Sequence, residues 1–159
     1  MEILNEHGFA VDEALLLRAV QTVLKLQSAP VDSMLTIVIT DNEEVAALNQ
    51  QFRGIAAPTD VLSFPADLPP IPIEDEPPYL GDLVIAYPYA LAQAEREKHD
   101  PQHSFALLVV HGTLHLLGFD HDTPQNRAQM WAAQDQALKA LDIPLSIVPA
   151  LEQDDAQDH

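Results

Sequence analysis

The spacing of apolar residues near the start of the chain predicts a strand, a helix and a second strand. Residues 14–26 carry a broad apolar stripe at helical spacing, which follows Asp12, a residue type that caps helices, and closes before Pro30. Residues 34–40 form a run of β-branched and apolar side chains, which is typical of a buried strand. Residues 2–5 are long enough for a short first strand.

The same patterns predict the elements in the middle and at the end of the chain. Asp41 and Glu44 have the spacing of a capping box and start a helix that runs to about Phe52. Further elements are predicted as strands at 61–64 and 80–86, a helix at 88–98, and a last helix from Thr123 and Pro124. Residues 65–78 hold six prolines and four acids, so they form an extended segment that either covers a cleft or is mobile.

One predicted helix is apolar on every side. Asp100 and Pro101 have the cap-then-proline order that starts helices, and most side chains from 105 to 117 are apolar. A helix that is hydrophobic all round is buried. His111 and His115 are therefore polar groups in an interior, where each would cost about 1–3 kcal/mol without a partner.

Charge limits the ways in which this chain can bind nucleic acid. The 159 residues include 7 Lys and Arg against 25 Asp and Glu, which gives a formal net charge of −18. This balance disfavours non-specific binding to nucleic acid or anionic membranes, so any RNA contact must be local. The length fits one domain, which we place at residues 1–148. Residues 149–159 are acidic and polar with no cation, so we expect a disordered tail there.

The sequence also bears on the cellular compartment. The chain has no cysteine, which fits a cytosolic protein and a secreted protein without disulfides equally well. Met1 and Glu2 begin no basic, apolar signal region, and the longest apolar run, residues 105–110, is too short to cross a bilayer. We therefore expect a cytoplasmic protein.

Three histidines in and after the buried helix have the spacing of a metal site. His111 and His115 are four residues apart, so their imidazoles lie on one helix face within reach of one ion. Gly118 is placed to end the helix in a left-handed conformation, and the following turn can bring His121 back as a third nitrogen ligand. Three protein ligands leave one position open, which in zinc chemistry marks a catalytic site. The alternative is three solvated or hydrogen-bonded histidines, but a third histidine after a helix-ending glycine is uncommon.

The same spacing occurs in the long zinc motif of metzincin proteases. Those enzymes place the catalytic Glu directly after the first histidine, and Gly112 occupies that position here. The usual peptidase base is therefore missing, which argues against a protease.

Two charged residues near these motifs could each have either a structural role or a functional role. Arg53 follows a predicted helix, where a cation commonly complements the helix dipole as a surface charge. Asp120, beside His121, is either an acceptor for an imidazole N–H or a turn residue. The residue pattern alone favours the surface-charge role for Arg53 and does not choose between the two roles of Asp120.

Three blocks of the chain, taken together and in this order, resemble the YbeY family of endoribonucleases and rRNA maturation factors. The blocks are Leu48-Asn49 with Phe52-Arg53-Gly54 and residues 58–65, then Leu80-Gly81-Asp82, then residues 111–121. The resemblance spans most of the chain. It implies a single compact α+β domain with a small mixed four-stranded sheet, about five flanking helices and a zincin-like metal site.

The resemblance also implies a function. His111, His115 and His121 would bind one zinc ion per chain. Arg53 would be the catalytic basic residue that acts on RNA in the active-site cleft. The activity would be a metal-dependent, single-strand-type endoribonuclease in 16S rRNA 3′-end maturation and ribosome quality control. Its partners would be precursor rRNA and the ribosome or ribosomal proteins, with no membrane and no DNA partner. Two alternatives stay open: a metal-dependent hydrolase of another substrate, and a non-catalytic ribosome assembly factor.

Overall fold

Four strands form one mixed sheet, which five helices flank in the part of the chain that the structure describes, residues 1–66 and 76–147 of a computed structural model. The strands are β1 (Glu2–Leu4), β2 (Met34–Thr40), β3 (Val61–Pro65) and β4 (Tyr79–Ala86). The helices are α1 (Glu13–Leu26), α2 (Asn42–Arg53), α3 (Tyr87–Arg96), α4 (Pro101–Leu116) and α5 (Pro124–Ala140), followed by a short 3-10 helix at Leu145–Ile147. The predicted α+β class, four-stranded mixed sheet and five flanking helices are confirmed.

The strand order is β1-β2-β4-β3. The first three strands in this order run parallel, and β3 pairs antiparallel with β4 at one edge. Gly81 of β4 makes that pairing possible, because its φ is +138° and a Cβ atom there would collide with the backbone oxygen of Phe64 in β3. The glycine therefore fixes the edge strand that lines the cleft described below.

Side chains alternate between the two faces of the sheet, as the pleat requires. Leu35, Ile37 and Leu83 belong to the larger core, which includes α1, α4 and α5. Val84 points the other way and packs with Val45 of α2 in a smaller cluster. Helix α4 contacts α1, α3, α5, β3 and β4, so it is central, and its residues from Phe105 to Leu114 are all buried. The prediction of a buried helix is confirmed.

The predicted helix starts are also confirmed. The side chains of Asp12, Asp41, Asp100 and Thr123 each accept a hydrogen bond from a backbone N–H in the first turn of the following helix. These caps satisfy amides that have no partner inside the helix. The sequence therefore determines where the helices begin.

Helix α3 ends earlier than predicted. Its last residue is Arg96, because Lys98 takes a left-handed conformation with φ of +60°. This lets the N–H of His99 reach the carbonyl of Ala94 at 2.9 Å and close the helix. A left-handed lysine carries no clear signal in the sequence, since glycine usually holds such positions.

Some of the predictions from the sequence cannot be compared with the structure. The predicted acidic tail at 149–159 and residues 67–75 of the proline-rich segment lie outside the described residues. Within the described ranges, no helix combines the length and the apolar character needed to cross a bilayer.

Candidate metal centre

The end of α4 brings the three histidines together. The N–H of Gly118 donates to the carbonyl of His115, and that of Phe119 donates to the carbonyl of Leu114, both at 3.0 Å. This pair of bonds is a Schellman motif, and Gly118 supplies its positive φ of 102°. The motif reverses the chain, so that His121 returns to the helix end. One nitrogen atom from each of the three histidines lies within 4.8 Å of the other two.

The Nδ1 atoms of two of these histidines make hydrogen bonds that fix their tautomers. Nδ1 of His111 lies 3.0 Å from Oε1 of Gln134, and Nδ1 of His115 lies 2.9 Å from the carbonyl oxygen of Phe119. Both oxygens only accept hydrogen bonds, so both Nδ1 atoms carry a proton and donate it. In a neutral imidazole the other nitrogen then has a free lone pair.

The Nε2 atoms of the same two histidines face each other at 3.1 Å. Burial, and next the neighbouring His115, lower the pKa of His111 to about 3, so this imidazole is neutral at physiological pH. Two lone pairs at this distance repel each other, and a shared cation converts that repulsion into two bonds. Ligand nitrogens on a tetrahedral zinc ion lie about 3.3 Å apart. The three histidines therefore fit a metal ion, and their partners follow the usual pattern around metal-bound imidazoles.

Gln134 supports His111 from α5. Its side chain is fully buried and lies on the same face as Met130 and Leu138, four residues away on either side. The hydrogen bond to Nδ1 holds the imidazole in the orientation and tautomer that a metal ion needs. A buried glutamine on an apolar helix face requires a partner, so the apolar stripe interrupted at 134 was a signal that sequence reasoning missed.

We predict that Gln134→Leu weakens zinc binding by about 10- to 100-fold, because the ring of His111 loses its acceptor. Gln134→Glu should retain tight binding, since a carboxylate also accepts the Nδ1–H. Zinc affinity is measured by competition with a chelating dye, and Gln136→Leu, an exposed position on the same helix, is the matched control. Equal affinity in wild type and Gln134→Leu would contradict the positioning role.

An open cleft of about 700 Å³ lies over the histidines. The end of α2, strand β3, the end of α4, the loop after it and the start of α5 form its walls. The lining residues are Phe52, Arg53, residues 61–65, His111, His115, residues 118–122 and Arg127. Arg53 is the last residue of α2 and also part of this lining. It can therefore complement the helix dipole and contact a substrate in the cleft.

Arg127 is a second cation in the cleft that sequence reasoning missed. Its guanidinium carbon lies 5.0 Å from the centre of the Trp131 ring, which fits a cation–π contact. The Trp131 ring stands nearly perpendicular to His111 and His121, with centroids 5.8 and 5.7 Å away. The indole of Trp131 thus lies between Arg127 and two of the histidines. Arg and Trp four residues apart on a helix were the available signal.

Asp120 and Gly112 have positions that address the alternatives left open by the sequence. Oδ1 of Asp120 accepts the backbone N–H of its neighbour His121 at 2.7 Å, which is a turn contact, while Gln134 and Phe119 are the acceptors for Nδ1 of His111 and of His115. Gly112 is buried outside the cleft lining, and a Cβ atom there would lie 2.6 Å from Cδ2 of Leu83 in β4. A side chain at position 112, where metzincin proteases have their catalytic Glu, would therefore point at the sheet.

Sequence comparison relates this chain to characterised proteins. A family model described as Endoribonuclease YbeY matches residues 3–142. A relative named Endoribonuclease YbeY from Chloroflexus aggregans is 42% identical over 148 residues, which cover 91% of this chain and 97% of the relative. A relative of the same name from Dehalococcoides mccartyi is 44% identical over 127 residues, which cover 73% of each chain.

Structural comparison finds a solved protein with a similar fold. The solution structure of TM1509 from Thermotoga maritima has a TM-score of 0.59 at 26% identity and covers 89% of each chain. The region matched by the family model includes strands β2, β3 and β4, most of β1, Arg53 and all three histidines. The chain therefore belongs to the YbeY endoribonuclease family.

Proposed function

We propose that this chain is a zinc-dependent endoribonuclease that cleaves single-stranded RNA, with His111, His115 and His121 as ligands of one zinc ion. The observation that carries the proposal is the facing pair of Nε2 atoms at 3.1 Å, whose imidazoles have their protons fixed on Nδ1. This pair opens onto a cleft that also contains Arg53. Family membership supports RNA as the substrate.

The donor set favours zinc over the other common divalent ions. Three neutral imidazoles suit a borderline cation, whereas Mg²⁺ prefers oxygen ligands. His111, His115 and His121 would hold the ion, which would supply polarisation of a phosphoryl oxygen and a lower pKa for a water molecule. A site with three protein ligands leaves room for such chemistry.

Two arginines of the cleft bind the substrate in this proposal. Arg53 donates hydrogen bonds to phosphate oxygens through its planar set of N–H donors. Arg127 lines the same cleft and adds a second positive charge, which the cation–π contact with Trp131 helps to hold in place. The lining also includes Asp120 and Asp122, so the two arginines bring the cleft close to neutrality in a chain whose formal net charge is −18.

We assign the biological substrate to ribosomal RNA. The proposed role is 3′-end maturation of 16S rRNA and ribosome quality control in the cytoplasm, with the ribosome or its proteins as partners. Residues 1–148 form the catalytic domain in this proposal, and residues 149–159 form an acidic tail outside it. The family match, which ends at residue 142, supports this division.

The metal spacing shared with metzincin proteases favours one rival function, a peptidase. RNA and casein assayed side by side with the same metal-analysed protein separate the two. We expect about one zinc ion per chain and cleavage of RNA, with casein left intact. Cleavage of casein without RNA cleavage would replace the proposal with the rival.

We predict that Arg53→Ala lowers RNA cleavage at least about tenfold through the loss of a charge-assisted phosphate contact. Arg53→Lys should restore part of the rate, because lysine keeps the charge but loses the planar fork. The melting temperature should change little, since the side chain is half-buried and ends a helix.

The matched control is Arg96→Ala. Arg96 also lies in the last turn of a helix, α3, and is exposed outside the cleft lining. It therefore has the same relation to a helix dipole without access to the metal centre. Equal activity in wild type, Arg53→Ala and Arg96→Ala would assign Arg53 to dipole stabilisation alone.

A further inference from the structure

Phe52 is a large apolar side chain that remains exposed at the mouth of the cleft. Its relative exposure is 59%, the largest of any aromatic residue among the exposed hydrophobic residues of the described chain. It lines the cleft next to Arg53, its neighbour at the end of α2. In the part of the chain that the structure describes, the phenyl ring contacts Phe64 and still leaves this large fraction of its surface exposed.

We propose that Phe52 stacks on an unpaired base of the RNA substrate and thereby selects single-stranded over double-stranded RNA. The inference rests on the proposed function, because it names how the same cleft recognises its substrate. It adds a specificity residue beyond the metal ligands and Arg53.

The neighbouring chemistry points to a nucleotide. A nucleotide combines a flat aromatic base with a phosphate, and the cleft offers a phenyl ring beside a guanidinium group from consecutive residues. Aromatic rings next to cations are the usual means by which proteins bind single-stranded nucleic acid. The phenyl ring matches the base and the guanidinium group matches the phosphate, so a nucleotide is a ligand that contacts both side chains.

The ring is supported from behind, so that it is ready to stack. Phe64 of β3 meets it edge to face, with ring centroids 5.2 Å apart and planes at 65°. Phe64 in turn packs on the cluster that contains Val45 and Val84. The end of α2 is fixed as well, because Nδ2 of Asn49 donates to the carbonyl of Ala57 at 2.8 Å. A platform held in this way loses little conformational entropy when a base binds.

Stacking on Phe52 would discriminate against duplex RNA. A base in a double helix already stacks on its neighbours on both sides and is not available to a side chain, whereas loops and single strands have free base faces. Every base has such a face, so the contact contributes affinity without choosing a sequence. We therefore expect strand selectivity with little base preference from this residue.

The test uses the zinc-loaded full chain and a short single-stranded RNA that contains 2-aminopurine, whose fluorescence falls when it stacks. Stopped-flow mixing records binding before cleavage. Wild type and Phe52→Tyr should quench the probe. Phe52→Leu, which keeps an apolar side chain without a π face, should lose most of the quenching and raise KM for single-stranded RNA about tenfold. Wild-type protein should cleave a duplex of the same sequence far more slowly than the single strand, and Phe52→Leu should reduce this ratio.

Ile55→Ala is the matched control. Ile55 is an exposed apolar residue nearby, at 37% relative exposure, and it lies outside the cleft lining. We expect this variant to behave as wild type. An equal loss in Ile55→Ala and Phe52→Leu would indicate a general apolar docking surface and overturn the stacking proposal. A Phe52→Leu protein that quenches normally, or that only melts at a lower temperature, would also overturn it.

The same experiment separates this proposal from the proposed function. Wild-type protein that cleaves RNA without quenching the probe would remove Phe52 stacking and leave the nuclease intact. Wild-type protein that quenches the probe without cleaving RNA would remove the nuclease and leave stacking supported. If the wild-type protein neither quenches the probe nor cleaves RNA, both proposals are overturned.

Discussion

Replacing His115 with alanine should abolish RNA cleavage and reduce bound zinc to half or less of the wild-type content. The variant removes one Nε2 atom of the facing pair at 3.1 Å, so the ion loses a ligand and the repulsion that favours a cation disappears. Two remaining imidazoles hold a divalent ion far more weakly than three. Zinc content is measured by elemental analysis, and cleavage is measured on the same preparations with labelled RNA.

The fold should survive both this substitution and removal of the metal. Helix α4 is held by apolar contacts on all sides, so its burial does not depend on the ion. Chelation should therefore stop cleavage, and added zinc should restore it, with little change in the circular dichroism spectrum. A structural ion behaves differently, because its binding energy is folding energy and chelation would unfold the domain. Unfolding on chelation would favour the non-catalytic assembly factor.

Contaminating ribonucleases are the main hazard for this comparison. The control is His103→Ala prepared in parallel, since His103 lies on the same helix but outside the cleft lining. It should keep wild-type zinc and activity. Equal RNA cleavage by wild type and His115→Ala would remove the enzymatic function, and full zinc content in a His111→Ala, His115→Ala double variant would disprove the metal site.

Gly112→Glu should unfold the domain at physiological temperature. A Cβ atom at this position would lie 2.6 Å from Cδ2 of Leu83, and the rest of the side chain would bring a carboxylate into the core between α4 and β4. A buried charge without a partner costs several kcal/mol, so we expect a loss of more than about 4 kcal/mol in the free energy of unfolding. Thermal and urea unfolding measure this loss.

Gly112→Ala should be much milder. The added methyl group crowds Leu83 and costs about 1–3 kcal/mol, which the better helix propensity of alanine offsets by about 1 kcal/mol. Ala92→Glu, on an exposed face of α3, controls for adding a glutamate to a helix and should leave stability nearly unchanged. A folded Gly112→Glu protein that cleaves casein would show that the protease base fits this scaffold and would restore the peptidase hypothesis.

The sequence determined the features that arise within one or two helical turns. Caps such as Asp12 and Asp41 act on amides three residues away, so composition and spacing were enough to predict them. The pair His111 and His115 shares a helix face by geometry alone, and Gly118 ends the helix where its positive φ is needed. The all-round apolar character of α4 likewise predicted its burial without knowledge of its neighbours.

The tertiary structure decided what depends on contacts between distant segments. Gln134 reaches His111 across 23 residues of sequence, and Arg127 and Phe52 face one cleft from different helices. Gly112 packs on Leu83 because α4 crosses β4 at that point, and Arg53 lines the same cleft as the histidines because the end of α2 and strand β3 form two of its walls. A helical turn constrains neighbours three or four residues apart, whereas these contacts depend on how whole helices and strands pack, which no local spacing encodes.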